Sequence, residues 1–321
     1  MKKKLKKTSI KKPPINDKSI SFANGVYGIA LDTSITQVKE QLGEPSVRIT
    51  LSDSEIILGY GRSHWFYFKF NQLVMIDSQS LILDQISLNK IPARKSFDNK
   101  SWTIDHSFNS SNNAQLTLGA AFSVTKKLPQ RAVENDQILT LHWIIENEIY
   151  NGNKIKKLNG FTLAKRDYKP HLSIDAKDLQ KDLSVINKAY QTLQEAIPLD
   201  AEFIEQELGK PLAVIFIKAD EKIVIYNPYL YIKYSNDEIR EIHYSDNLLK
   251  ASLVDKSTLG LWQLGKLFDR QNLVNAIDYL PKDGFKTGAN ISFDADNYQL
   301  DVSLDSIDNH EKISGISFYI Y

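Results

Sequence analysis

Six histidines, His64, His106, His142, His171, His243 and His310, are the side chains best suited to move protons or hold a metal near neutral pH. Their spacing forms no His-x-x-x-His or His-Glu-x-x-His pair, so a helical metal site has no signature. His142 lies in the apolar stretch ILTLHWII beside Trp143, the setting of a packed, hydrogen-bonded structural histidine. His64 opens an aromatic stretch and reads either as a strand-edge residue or as one that reaches a surface site. No Gly-x-Ser-x-Gly elbow occurs. Gly59-Tyr60-Gly61 lacks the lysine and following helix of a phosphate loop and reads as a hairpin turn or bulge. Asp294-Ala295-Asp296-Asn297 begins like a calcium loop, but Tyr298 and Gln299 then occupy positions that need a ligand and a glycine. Cysteine is absent, which removes disulfides, cysteine zinc sites and thiol nucleophiles. No catalytic residue, metal ligand or cofactor is therefore expected from local motifs. A carboxylate pair assembled by tertiary contacts stays open.

Two rows of a different kind stand out. HWFYFKFN (64–71) and PYLYIKYSN (228–236) align Trp65 with Tyr229, Tyr67 with Tyr231 and Lys69 with Lys233. A strand sends alternate residues to opposite faces, so each row puts two aromatics and a lysine on one face. The other face carries Phe66, Phe68 and Phe70, matched by Leu230, Ile232 and Tyr234. Exposed, such a row would be a binding surface, because aromatics are favoured interface anchors. Trp65, Tyr67, Lys69, Tyr229, Tyr231 and Lys233 are thus the candidate binding residues. Equally, these faces read as buried between modules, with the lysines snorkelling outward.

The elements that must position these rows come in pairs. IALDTSITQVKEQLGEP (29–45) and IPLDAEFIEQELGKP (197–211) run from Ile-x-Leu-Asp to Leu-Gly-x-Pro, the second two residues shorter. Asp32 with Thr33, and Asp200, are suited to cap a helix. Ile35, Val38 and Leu42 recur at helical spacing, as do Phe203, Ile204 and Leu208. Gly43 and Gly209 can end each helix, and Pro45 and Pro211 forbid its continuation. Strands are predicted at Val47–Leu51, Ile56–Tyr60 and Leu73–Ile76, and again at Ala213–Ile217, Lys222–Tyr226 and Ile239–Tyr244, with turns at Asn71-Gln72 and Asn236-Asp237. Fainter matches at 116–129 and 262–281 would open a second helix-plus-sheet module in each half. Strands follow at Ile138–Ile145 and Lys154–Leu163, and near Ala289–Phe293, Tyr298–Leu304 and Ile313–Tyr321. A helix over Asp175–Glu195 leads into the second half. The fold class is α+β, with duplicated modules of helices packed on an antiparallel meander sheet. The domains are a disordered basic tail (1–20), a first half (21–172) and a second half (173–321), each half holding one or two modules.

The stretch Leu31-Asp32-Thr33-Ser34, Val38 and Leu42-Gly43-Glu44-Pro45, followed by hairpin strands, resembles the small modules of the SmpA/OmlA outer-membrane assembly lipoproteins. It is also similar to the tandem modules of beta-lactamase inhibitory proteins. Residues 29–76 and 197–244 carry the likeness. It implies a helical pair against an antiparallel sheet, and binding of other proteins through the sheet or adjoining loops, without enzymatic activity. The lipidated cysteine of the first family and the disulfides of the second have no counterpart here.

Bulk composition agrees with a globular chain: 42% hydrophobic and 25% charged over 321 residues, enough for two cores. Residues 1–12 hold seven lysines and no acid, so a formal net charge of +1 leaves the remainder at −6. An acidic body is a poor nucleic-acid surface, and no specific nucleic-acid partner is expected. The lysine tail reads as a solubilising arm or as a contact for nucleic acid or anionic lipid. No apolar run reaches transmembrane length. The default location is cytoplasmic, or periplasmic if a signal peptide belongs to the protein. The leading functional expectation is a non-enzymatic protein-binding protein, of the inhibitor or immunity-antagonist type, whose partner is another protein. The alternatives are a small-molecule or glycan-binding protein with a tyrosine-lined cleft, and a hydrolase with an unrecognised carboxylate pair.

Overall fold

The computed structural model describes residues 19–93, 103–104, 119–127, 130–147, 152–171, 179–245, 248–250, 267–269, 285–287, 289–307 and 310–321. The chain divides into two compact units: residues 1–80 with 92–171, and residues 81–91 with 172–321. Both are sheet-rich α+β structures, antiparallel apart from one short parallel pairing. Leu81–Ile91, expected in the first half, belongs to the second unit. Residues 1–18 of the expected tail lie outside the described residues, whereas Ser19 and Ile20 open a strand, and Ile20 is buried in the core.

Unit 1 contains β1 (Ser19–Ser21), β2 (Gly25–Val26), α1 (Ile35–Leu42), β3 (Val47–Thr50), β4 (Glu55–Gly59), β5 (Trp65–Lys69), β6 (Gln72–Asp77), β7 (Thr103–Ile104), β8 (Ala121–Ser123), β9 (Arg131–Glu134), β10 (Gln137–Asn147) and β11 (Lys154–Lys165). β3 to β6 form a meander. β11 returns to pair with β6, placing Met75, Ile76 and Asp77 opposite Ala164, Leu163 and Thr162. β10 and then β9 extend the sheet, and β8 pairs with the far end of β11. A strand at β8 replaces the helical opening expected at 116–129. α1 turns Val38 and Leu42 onto Leu58, Phe66, Phe68 and Ile76 of the meander, in one cluster with Leu139, Leu141, Phe161 and Leu163.

The cap of α1 is Ser34, not Asp32 or Thr33. Ser34 Oγ accepts the Gln37 amide at 3.3 Å, and Gln37 Oε1 accepts the Ser34 amide at 3.1 Å. This reciprocal pair is a capping box. Asp32 instead takes a positive φ of 71° and is stitched to β6: its amide donates to the Leu73 carbonyl at 2.8 Å, and the Leu73 amide to the Thr33 carbonyl at 2.9 Å. The following hairpin turn is Phe70-Asn71, one residue earlier than expected, with both residues at positive φ.

Unit 2 contains α2 (Gln85–Lys90), α3 (Leu179–Gln194), α4 (Ala201–Leu208), β12 (Ala213–Phe216), β13 (Glu221–Ile225), β14 (Leu230–Ser235), β15 (Glu238–Ser245), β16 (Leu267–Asp269), β17 (Phe285–Thr287), β18 (Asn290–Asp294), β19 (Tyr298–Ile307) and β20 (His310–Ile320). β12 to β15 form a meander, β20 pairs with β15, and β19, β18 and β17 follow outward. β16 pairs with the start of β20. Apart from β16, the segment 262–281 lies outside the described residues. α3 buries Val185, Ile186, Ala189, Tyr190 and Leu193, a helical stripe, against Tyr298, Leu300 and Phe318. α4 is capped by Asp200, whose carboxylate accepts the Glu202 amide at 3.0 Å. The strap 81–91 is tied on by a bridge between Leu83 and Leu249 and by the Ser87 hydroxyl, which donates to the Leu248 carbonyl at 2.7 Å.

His64 is buried, not at a surface, with its Nε2 3.2 Å from the Tyr27 hydroxyl. Burial drives its pKa down to about 3, offset in part by the backbone of Tyr60. The folded chain therefore resists protonation that the unfolded chain accepts below about 6.5. The stability His64 lends is complete above that pH and is lost as pH falls toward 3. Urea unfolding at pH 6.5 and pH 5 checks this. Replacing His64 by Leu is expected to remove about 2 kcal/mol of the acid-induced loss between them, and identical losses in both proteins would contradict it.

Candidate functional site

The seam where the returning strand meets the meander collects polar side chains in both units. In unit 2, His243 of β15 faces Ser317 of β20. His243 Nε2 lies 2.8 Å from Glu241 Oε2, and Nδ1 lies 2.7 Å from Ser317 Oγ. The carboxylate fixes the tautomer: Nε2–H donates to Glu241, and Nδ1 accepts the serine hydroxyl. Lys233 Nζ lies 2.8 Å from Glu241 and 3.2 Å from Glu221. Tyr231 stacks on His243 with ring centroids 4.4 Å apart, and Lys90 from the strap donates to the Tyr231 hydroxyl at 3.0 Å. Hydrogen bonds from His243 and Lys233 hold the Glu241 pKa down at about 2. Burial lowers that of His243 and keeps it neutral, more than Glu241 raises it.

A serine, histidine and carboxylate in hydrogen-bond sequence is the arrangement of an activated nucleophile. Acyl transfer also needs amide donors free to stabilise an oxyanion. Ser317 sits in the middle of β20, paired with His243 on one side and Asp301 on the other, so that backbone is committed to the ladders. His243 is buried, with Tyr231 stacked against its ring. Ser317, His243, Glu241 and Lys233 thus form a polar seam whose members satisfy one another.

Unit 1 has its own seam. Thr162 donates to Asp77 Oδ2 at 2.6 Å and accepts from His142 Nε2 at 2.7 Å. The Gln79 amide donates to Asp77 Oδ1 at 2.7 Å. Close approach is needed beside it: a Cβ on Gly160 would sit 2.4 Å from the Ser78 hydroxyl, which accepts the Phe161 amide at 2.8 Å. His142 is thus the hydrogen-bonded histidine expected from its strand.

The expected aromatic–lysine surface is corrected. Trp65, Tyr67 and Tyr231 are buried because β5 and β14 are central strands covered on both faces, and Tyr229, just before β14, is buried as well. Trp65 packs across Gly59 of the neighbouring strand, and its Nε1–H donates to the Arg62 carbonyl at 3.2 Å. Lys69 and Lys233 reach outward, but to carboxylates, Glu55 at 3.7 Å for the former and the Glu221–Glu241 pair for the latter. Of the six residues, only Tyr231 and Lys233 join one cluster.

Exposed apolar surface lies elsewhere, Phe70 at a hairpin tip among it. In unit 1 a cleft of about 690 Å³ is lined by Ile35, Ser52, Ser54, Ile56, Phe68 and Phe70 among others. Phe70 is 74% exposed and sits at a positive φ of 48°. In unit 2 a cleft of about 360 Å³ lies between the β12–β13 and β14–β15 turns, lined by Lys218, Glu221, Lys222, Tyr234 and Asp237 among others. Asn236 holds the turn position there, with φ 52°. Sequence reasoning placed Phe70 on an inward strand face; the turn signal at Asn71 could have exposed it.

If the Glu241 network is structural, Glu241→Gln should cost about 2 kcal/mol, since a charged partner of both His243 and Lys233 is lost. The carboxylate's low folded pKa means that its contribution is present above about 4.5 and disappears toward pH 2. Denaturant titrations at pH 7 and pH 3 should show a wide gap between the two proteins at pH 7 and a narrow one at pH 3. An equal gap at both values would contradict this.

Among the described residues no helix is long and apolar enough to cross a membrane. No family model matches the chain, and no curated protein matches it. Among solved structures, a cysteine-rich secretory protein from Staphylococcus aureus is similar over 38% of this chain and 42% of its own length, at 14% identity and a TM-score of 0.23.

Proposed function

We propose that this chain is a non-enzymatic protein-binding protein, of the inhibitor or antagonist type, made from two copies of one helix-plus-sheet module that have diverged at their tips. The observation that carries the reading is Phe70. The two-residue turn here holds both Phe70 and Asn71 at positive φ, a conformation that suits Asn and Gly and penalises a bulky side chain. A phenylalanine held there, exposed beside an apolar cleft, costs stability and water contact. Such an outlier is understood when a partner covers the ring. The resemblance to modules that bind proteins through adjoining loops points the same way.

The duplication has its support in register. Ser34 and Asp200 cap the two helices, and Gly43 and Gly209 end them at positive φ. At the same constant separation, Glu55 opposite Lys69 corresponds to Glu221 opposite Ser235, and Asp77 to His243. This differs from the row alignment by sequence: Trp65 matches Tyr231, not Tyr229. Bulges recur at Tyr67/Phe68 and Lys233/Tyr234, and again at His142/Trp143 and Ser303/Leu304. Bulges are specific local devices, and their recurrence at matching rungs favours a shared origin.

The hydrolase reading loses ground because the shifted carboxylates, Glu221 and Glu241, are both pushed down, chiefly by hydrogen bonds from Lys218 and from His243 respectively. A general acid would need the opposite shift.

The Phe70→Asn variant tests the proposal. It should be more stable than the parent by about 1 kcal/mol in denaturant titration and should lose capture of the partner retained by the parent in affinity pull-down. A variant that captures the same partner as strongly would remove Phe70 from the binding surface.

A further inference from the structure

We propose that the face of β10 and β11 that carries Ile145, Lys156 and Lys154 in unit 1 is a docking surface for an anionic phospholipid headgroup layer. Beyond the Trp143–Leu158 rung the core-facing side of this hairpin runs out of the core. Cross-strand partners share a face, so Trp143 with Leu158, Ile145 with Lys156 and Asn147 with Lys154 lie on one side. β8 adds Phe122 opposite Lys156. Trp143 and Phe122 still touch the core cluster, whereas Ile145 is 66% exposed. The two rings meet edge to face at 5.9 Å, Lys126 lies 5.0 Å from the Phe122 ring centre, and Lys156 lies 5.5 Å from that of Trp143. Lys154 at the tip is exposed.

Among the described residues this stretch of the face bears three lysines and no acid. Glu146 lies on the opposite side, where it pairs with Lys157 at 3.4 Å. An exposed aliphatic, rings at the boundary and lysine ammonium groups beside them is the chemistry of a membrane interface: Ile145 enters, and the ammonium groups reach phosphates. Nucleic acid fits less well, since stacking a base requires an open ring face, and here Phe122 and Trp143 pack on each other and under lysines. The corresponding rungs of unit 2, Leu304 with Ile313 and Ser306 with Glu311, present no lysine. The surface therefore belongs to one unit and is separate from the Phe70 cleft.

Cosedimentation with vesicles of phosphatidylcholine alone, and of phosphatidylcholine mixed with phosphatidylglycerol, tests the proposal on the full chain. The parent should bind only the anionic vesicles. Lys154→Glu with Lys156→Glu should reduce that binding by about tenfold or more. Ile145→Ser should weaken what remains in high salt. A full-length variant with the seven lysines of residues 1–12 changed to glutamine should still bind more than the Lys154/Lys156 variant does. Equal binding by the parent and the Lys154/Lys156 variant, absence of binding to anionic vesicles, or binding of duplex DNA in preference to vesicles would each overturn the proposal. Far-UV circular dichroism confirms that the variants are folded, and Ile145→Ser tests the face without altering charge.

Discussion

The architecture depends on one long-range pairing in each unit: β6 with β11, and β15 with β20. The helix and four-stranded meander before that pairing are local, each ladder joining strands that are neighbours along the chain. The returning strand must close a loop of many residues, which is entropically costly but rises only slowly with length. It is offset by burial of Leu163 and Phe161 in unit 1, and of Phe318 and Ile316 in unit 2, against the meander and its helix. Without it the meander would present an unpaired edge at β6 or β15, and the core face would lose its second half.

The same seam gathers the polar chemistry. Asp77, Thr162 and His142 meet in unit 1, and Glu241, His243 and Ser317 in unit 2. Buried polar groups are costly unless satisfied, and these chains satisfy one another across the strands that must pair. They therefore favour one register over a slip by one residue, which would break each hydrogen bond and turn the apolar faces outward. The binding surfaces proposed above lie instead at the periphery, at the hairpin tips and strand ends, where the two units differ: Phe70 against Asn236, and a lysine–aromatic face against Ser306 and Glu311.

The meander strands and the long strands β10, β11, β18, β19 and β20 are legible from alternation and turn residues to within a few residues, whereas the short strands β1, β2, β7, β8, β9, β16 and β17 are not. Leu-Gly-x-Pro marked both helix ends correctly. The N-terminal cap of α1 was misplaced because Asp32 and Ser34 are both good caps, and only the pairing of residues 32 and 33 with Leu73 decides between them. The aromatic rows are compatible in sequence with an exposed face or with a buried one whose lysines point outward, and the burial of Trp65, Tyr67, Tyr229 and Tyr231 decides for the second: a central strand covered on both sides is apolar throughout. Phe70 was assigned to the strand rather than the turn by one residue of register. The seams were invisible because Asp77 and Thr162, or His243 and Ser317, are far apart in sequence and come together only through the long-range pairing.

The absence of native cysteine makes that pairing open to direct measurement. Met75 and Ala164 stand opposite each other, and side chains so placed lie near the separation a disulfide requires. With Met75→Cys and Ala164→Cys combined, mild oxidation should form an intramolecular disulfide in the folded protein. Met75→Cys combined with Leu163→Cys, whose side chains point to opposite faces, should stay reduced. Failure of the first pair to cross-link, or equal cross-linking of both, would contradict the pairing on which the fold, its polar seams and the proposed duplication all rest.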